Sequence, residues 1–362
     1  MLTRRTLLAA AALVATGGAA QAATPSVDRI VTQHVRALGG MEAIRAIHGY
    51  IKHGTYNEGE QHFPTYTAMM RPFYRVIGPP EDTLKHLHEG YDGSAWEYYP
   101  DPGIVVPTVG AAAATTRHTA YIDDVLVDPK GAGTTLESGG ETMLSGKQVY
   151  VVHATLADGF REDVYVDPKS WMIAGYARTV PFHAFGENLP THIELGDYRP
   201  EGGVMMAHSD REIDTASGRI LDYGTVVSVE INPALPLAQF SPPEWERTPL
   251  QRMIQRLYDE RTDAVAVMAT YRDFRTAFPD MASGDAVDFT GYQMLKTGET
   301  ESALALLTQN VADNPNSARA HFGLGRALDT AGKKDAARAE YERALAIDPN
   351  FIRARTARDA LK

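Results

Sequence analysis

The sequence predicts an α+β multidomain chain: an antiparallel β half with packed helices, followed by an all-α stack of repeats. Three observations carry this. Runs rich in Tyr, Val, Ile and Thr, broken at short intervals by Gly-containing turns, fill the first two thirds. After Pro242-Pro243 the apolar spacing switches to three and four, the grammar of helix–turn–helix. The last part of the chain then repeats itself with a fixed period. At 362 residues, 44% hydrophobic and 22% charged, the chain is long enough for two domains and can bury real cores. The net charge of −11 and the lack of a long basic block argue against a nucleic-acid binder, whose affinity comes from neutralising phosphates. Cysteine is absent, which excludes disulfides, thiolate metal sites and Cys nucleophiles.

Residues 1–22 read as a cleaved export signal. Arg4 and Arg5 precede a short apolar stretch over 7–15, and Ala20-Gln21-Ala22 is an A-x-A cleavage site. The apolar part is far shorter than the roughly 20 residues that span a bilayer. Thr3-Arg4-Arg5-Thr6-Leu7-Leu8 resembles the twin-arginine export motif. Cleavage removes two positive charges, so 33 Lys and Arg against 46 acids leave −13. No cysteine stands at the cleavage site to carry a lipid anchor. The mature chain is therefore expected in the periplasm or outside the cell, without a transmembrane anchor.

Val27, Ile30, Val31, His34, Val35 and Leu38 recur at helical spacing, and Gly39-Gly40 closes that helix. A second short helical turn follows over 41–47. Asp92-Gly93 is a two-residue hairpin signal between 84–91 and 94–99, and Asp158-Gly159 does the same between 147–156 and 161–166. Softer turns at Glu58-Gly59, Asp167-Pro168, Gly202-Gly203 and Ser217-Gly218 complete an antiparallel meander. One helix, over 109–125, interrupts it. The β half spans 23–245 and the helical half 246–362.

Within the helical half, Gly291 recurs as Gly325, Gly298 as Gly332, Ala303 as Ala337 and Pro315 as Pro349, each 34 residues on. Leu324-Gly325, Leu328, Ala337, Tyr341, Ala344 and Pro349 sit at the offsets of a tetratricopeptide repeat, which this segment resembles. Gly325 and Ala337 are small where two helices touch, Tyr341 fills the gap and Pro349 stops the second helix. His321 replaces the usual tryptophan, and Met294 and Leu307 stand for aromatics in the first copy. The repeats cover about 284–317 and 318–351. The helices at 250–278 and 351–361 serve as caps, giving about seven helices.

Ala37-Leu38-Gly39-Gly40-Met41-Glu42-Ala43-Ile44, then Val164-Tyr165-Val166-Asp167-Pro168-Lys169-Ser170, Gly196-Asp197-Tyr198-Arg199, Val229-Glu230-Ile231-Asn232-Pro233 and Phe240-Ser241-Pro242-Pro243 follow in order. This order resembles the LolA-like (outer-membrane lipoprotein-sorting-like) periplasmic proteins. The resemblance implies an unclosed antiparallel half-barrel wrapped around helices, with a concave face that takes up acyl chains. Its motifs are structural turns, so no ligand-gripping residue carries over. The fused repeat domain departs from the plain carriers.

No G-x-S-x-G, Walker loop, G-x-G-x-x-G or H-E-x-x-H is present. A two-residue turn at Asp92-Gly93 pairs Glu89 with Trp96, Leu87 with Tyr98 and His88 with Glu97. Leu87, Trp96 and Tyr98 then share the core face and, with Tyr165, Trp171, Ile173 and Met205, supply the large side chains that would meet an apolar ligand. His86, His88 and Glu97 offer two imidazoles and a carboxylate, a ligand set for Zn²⁺ or Fe²⁺. They fall on the opposite, solvated face, so neither metal nor cofactor is expected. His183, His192 and His208 are too scattered to define a site, and Asp123-Asp124 reads as surface. On the repeat, Arg319, Phe322 and Arg326 share one face of a helix that would line the groove. Arg353 stands 34 residues after Arg319, and the pair could clamp a peptide carboxylate or acidic segment.

The leading expectation is an exported, non-enzymatic binding protein. Its half-barrel holds an apolar or acylated ligand, and its repeat groove docks a protein partner. Two alternatives compete: an interaction scaffold whose barrel is filled by its own helices, and a hydrolase or metal enzyme whose site no linear motif reveals.

Overall fold

The computed structural model describes residues 24–59, 61–72, 74–78, 83–108, 110–181 and 188–361. The predicted signal at 1–22 and His183 lie outside the described residues. Helix α1 (Val27–Leu38) begins at Ser26, whose hydroxyl accepts from the Arg29 N–H, and ends at Gly39 with φ +125°. Few residues but glycine adopt that angle. The one-turn helix α2 (Met41–Ala46) follows.

The strands are β1 (Gly49–Glu58), β2 (Gln61–Met70), β3 (Tyr74–Gly78), β4 (His88–Tyr91), β5 (Ala95–Tyr99), β6 (Ile104–Pro107), β7 (Thr135–Leu144), β8 (Lys147–Thr155), β9 (Arg161–Val166), β10 (Ile173–Pro181), β11 (Asn188–Glu201), β12 (Val204–Asp214) and β13 (Ile220–Ile231). They form one antiparallel sheet in the order β6-β5-β4-β3-β2-β1-β13-β12-β11-β10-β9-β8-β7. The first and last strands pair in the middle, from Tyr50–Ile231 to Glu58–Asp222, so the sheet stays open and β6 and β7 are its margins. Ile30 of α1 packs on Val152, Val164, Val166 and Ile173, while Leu38 and Ile44 meet Tyr50, Met69, Val204 and Met206. These helices fill part of the inner face.

Two expectations about this half need correction. The interrupting helix, α3, runs only over Gly110–Thr119. Thr115, Thr116 and Thr119 turn their hydroxyls back onto carbonyls of the preceding turn. Such β-branched, back-bonding residues weaken a helix, and 121–134 continue without a helix or strand. The turn at Asp92-Gly93 also takes in a third residue. The Asp92 carboxylate accepts from the Ser94 N–H at 3.2 Å, so Tyr91 pairs with Ala95 and the ladder shifts by one. His88 thus faces Tyr98, Glu89 faces Glu97 and Gly90 faces Trp96.

The helical half contains α4 (Pro249–Asp259), α5 (Ala264–Ala277), α6 (Gly284–Lys296), α7 (Thr300–Asp313), α8 (Ala318–Thr330), α9 (Lys334–Ile347) and α10 (Ile352–Ala360). The recurring glycines have steric reasons. A Cβ on Gly291 would approach Leu307 Cγ to 2.6 Å, and one on Gly325 would approach Tyr341 Cδ1 to 2.6 Å. Gly298 and Gly332 turn the chain at φ +92° and +74°. His321, in the tryptophan position, is buried with Nδ1 2.6 Å from Glu340 and Nε2 2.9 Å from the Pro315 carbonyl.

The core of this half also takes in Ile104 and Val106 from β6. Gln255 of α4 completes the contact. Its Oε1 accepts from the Val105 N–H and its Nε2 donates to the Val105 carbonyl, both at 2.9 Å. One side-chain amide stands where a neighbouring strand would. Among the described residues no helix is long and apolar enough to cross a membrane.

Candidate functional site: the concave face of the sheet

A cavity of about 1660 Å³ opens on the inner face, lined by strands from both ends of the chain, by α3 and by the segment after it. It exceeds the roughly 300–1,000 Å³ of a drug-sized pocket. Its walls are mixed. Phe63, Ile77 and Leu87 supply apolar surface on one side, and Leu156, Ile193 and Leu195 do so on the other. Charged groups stand between them.

Most of these charges are matched. Arg71 grips Asp123 with two 2.6 Å hydrogen bonds and also donates to the Ile47 carbonyl, tying the segment after α3 to the start of the sheet. Arg75 meets Glu89 at 2.5 Å. Arg117 pairs with Asp158, which also accepts from His118 at 3.0 Å, so the end of α3 is fastened to the β8–β9 turn. Burial, with Arg117 and Arg178 nearby, pushes His118 down to about 4, which makes that imidazole a neutral donor.

His34 is the opposite case. It is buried, which disfavours its charged form, but Asp124 lies 3.0 Å from Nε2 and the Trp171 carbonyl 2.8 Å from Nδ1. Those partners outweigh the burial and raise its pKa. Both neighbours are acceptors, so the ring donates from both nitrogens as an imidazolium.

Four lining groups stand outside these pairs. Lys52 of β1 forms no ion pair among the described residues and lies 5.3 Å from the centre of the Tyr50 ring. Burial lowers its pKa against the pull of Asp210 and Glu201, while burial raises that of Asp210. Arg178 of β10 has its Nε buried without a hydrogen-bond partner. Burial raises the pKa of Glu162 on the adjacent β9, against the pull of Arg178. A further row of carboxylates, Glu58, Asp222 and Glu212, stands side by side across β1, β13 and β12. Like charges so placed repel; the Tyr56 and Thr191 hydroxyls donate to the outer two at 3.3 and 2.6 Å.

Of the seven residues singled out for an apolar ligand, Leu87 lines this cavity, while Ile173 is buried in the core under α1. Trp96 and Tyr98 do not, because the shifted register turns them to the other face of the sheet. There Trp96 donates to the Phe240 carbonyl at 2.9 Å, and Tyr98 packs edge-on against Trp245 at 5.1 Å under the linker. Tyr165 is half-buried on the face of β9 away from Val164 and Val166. Trp171, with φ +62°, stacks on Tyr150 at 5.7 Å in the core beneath α1, and Met205 packs beside the core under α2. The metal candidates also part company. His86 is exposed and stacks on Phe63 at 5.8 Å, whereas His88 and Glu97 are 6% and 2% exposed rather than solvated. Tyr99 donates to Glu97 at 2.5 Å. Among the described residues no group of three or more His, Cys, Asp or Glu is arranged to hold a metal ion.

In the repeat half, Asp288 of α6 claims two of the four residues expected to meet a partner. Arg319 Nε lies 3.2 Å from Asp288 Oδ2, and Arg326 Nη2 lies 3.6 Å from Oδ1. Arg326 is held over the Tyr292 and Phe322 rings at 4.6 and 4.8 Å. Phe322 is buried against Tyr341 and Phe351. Arg353 is exposed and forms no ion pair among the described residues. Sequence reading passed over Lys52, Glu162, Arg178 and Asp210, since charge alternating with apolar residues on a strand reads as a solvated face.

A tetratricopeptide-repeat family model matches residues 294–350. The sheet half is similar in structure to a DUF1329 family protein from Desulfovibrio piger, 14% identical, over 60% of this chain and 98% of that one, TM-score 0.40. It is likewise similar to a LolA superfamily protein from Nitrosomonas europaea, 10% identical, over 60% of this chain and 99% of that one, TM-score 0.39. No curated protein matches the chain.

Proposed function

We propose that this is an exported binding protein without enzymatic activity, whose open half-barrel holds an amphiphilic, acyl-bearing ligand and whose repeat half docks a protein partner. The observation that carries the reading is the cavity of about 1660 Å³, with apolar walls on two sides and charged groups between them. A purely apolar ligand would strand those charges away from water, at a cost of several kcal/mol each. An amphiphile covers the Leu87 and Leu195 walls with its chain and offers partners to the charges. Export is read from residues 1–22. For the repeat half, the segment 318–361 carries more Lys and Arg than Asp and Glu in an otherwise acidic chain, which supports an acidic partner segment meeting Arg353.

Native mass spectrometry on the mature chain, purified from its own compartment without detergent, tests the ligand. The expected spectrum carries an added mass that releases acyl-chain species on activation. A bare polypeptide mass, unchanged after incubation with mixed lipids, overturns the reading.

A further inference from the structure

We propose that Arg178 and Glu162 form the head-group site of the cavity and that the group they take is a single carboxylate at the end of an acyl chain. This rests on the reading of the cavity as an amphiphile site. Both residues line it. They project from neighbouring strands, one position beyond the register pair Ala177–Asp163 and on the other face from it. The guanidinium Nε is buried and donates to nothing. A buried N–H left unmade costs about 1–3 kcal/mol, and the guanidinium that carries it belongs to a residue lining the cavity.

The surrounding charges define the missing partner. Asp124 is held by His34, and Asp158 by Arg117 and His118. Glu212 takes the Thr191 hydroxyl at 2.6 Å, and Thr191 is the register partner of Arg178. Among the described residues, the Arg178 charge on this side of the cavity is left without an ion pair, as Lys52 is on β1. A carboxylate matches it, accepting from the two terminal nitrogens of the guanidinium side by side. Glu162, favoured as the neutral acid by its burial, donates a further hydrogen bond to the same group. A phosphate monoester, with roughly −1.5 to −2 charge, would leave negative charge facing Asp124, Asp158 and Glu212. From this head site the chain would run along Leu156, Val125, Ile193 and Leu195, which line the same cavity.

The test uses delipidated full-length chain, titrated with hexadecanoate, hexadecan-1-ol and hexadecyl phosphate below their aggregation thresholds. Wild type should bind the carboxylate more tightly than the alcohol or the phosphate. Arg178→Gln should weaken the carboxylate about tenfold or more and leave the alcohol unchanged, and Arg178→Lys should restore part of the difference. Equal binding of carboxylate and alcohol by wild type, which needs no variant to fold, overturns the proposal while the amphiphile reading stands. Tighter binding of the phosphate overturns the choice of carboxylate. Binding of none of the three overturns the proposal and the amphiphile reading together.

Discussion

The repeat groove and the sheet cavity both gather arginine, yet they treat it differently. In the groove, Arg326 lies between two aromatic rings with the Asp288 carboxylate beside it, and Arg319 reaches the same acid from two turns earlier on α8. In the cavity, Arg178 has an adjacent acid that does not reach it; its Nε is buried without a hydrogen-bond partner, as is that of Arg326, so the difference lies in the ion pair and the two rings. The first arrangement is internal structure, a charge settled by α6, two helices earlier. The second is open: among the described residues no acid pairs with it. An arginine is therefore a better sign of binding where no described carboxylate pairs with it than where it sits in a recognised repeat.

Three substitutions test this contrast. The largest effect should come from Asp288→Ala, which leaves the partly buried Arg326 without its acid. Denaturant unfolding should show a loss of about 3 kcal/mol, and a loss below about 1 kcal/mol would mean that the groove arginines are as uncommitted as Arg178. His34→Gln comes next, because it removes a matched charge of the cavity. The expected loss is about 2 kcal/mol near pH 6. The folded pKa of His34 lies above its ordinary 6.5. Its stabilisation is therefore complete below that value and drains away as pH rises through the folded one. Wild type should lose stability as pH rises above about 6.5, and the variant should lose less; parallel curves would remove the imidazolium from the account. Arg178→Gln should change stability least, within about 0.5 kcal/mol. A loss as large as that of Asp288→Ala would show that the cavity arginine is structural after all.

How far the sequence speaks depends on how local the cause is. The Gly39 end of α1 and the strands either side of Asp158-Gly159 follow from neighbours within a few residues, the repeat from its fixed period of 34, and each stands where its pattern places it. The hairpin at Asp92 fails by one position because a single side-chain hydrogen bond adds a residue to the turn. That one step reverses the two faces and carries Trp96 and Tyr98 from the supposed ligand wall to the underside of the linker. The charged members of the cavity stayed hidden for a different reason. Lys52 and Asp210 become neighbours only because β13 returns to pair with β1, a closure that no local pattern announces. Asp288 was missed in the same way, since it belongs to α6, two helices before the one whose arginines it holds.

The Gln255 contact reaches beyond the join between the two halves. An open sheet has two margins, each a template onto which another molecule's strand can add and start a growing ribbon. Here one margin is occupied by an amide from the chain's own helix. The other, β7, carries Glu137 and Glu141 and is kinked at Ser138–Gly140, which spoils a straight template. The repeat half is thus also the guard on one side of the sheet. A fragment cut at Pro242-Pro243 would expose the Val105 backbone with Ile104 and Val106 beside it, a sticky end in the sense that matters for fibril growth. Holding the two halves on one chain keeps that end closed from the moment the protein folds.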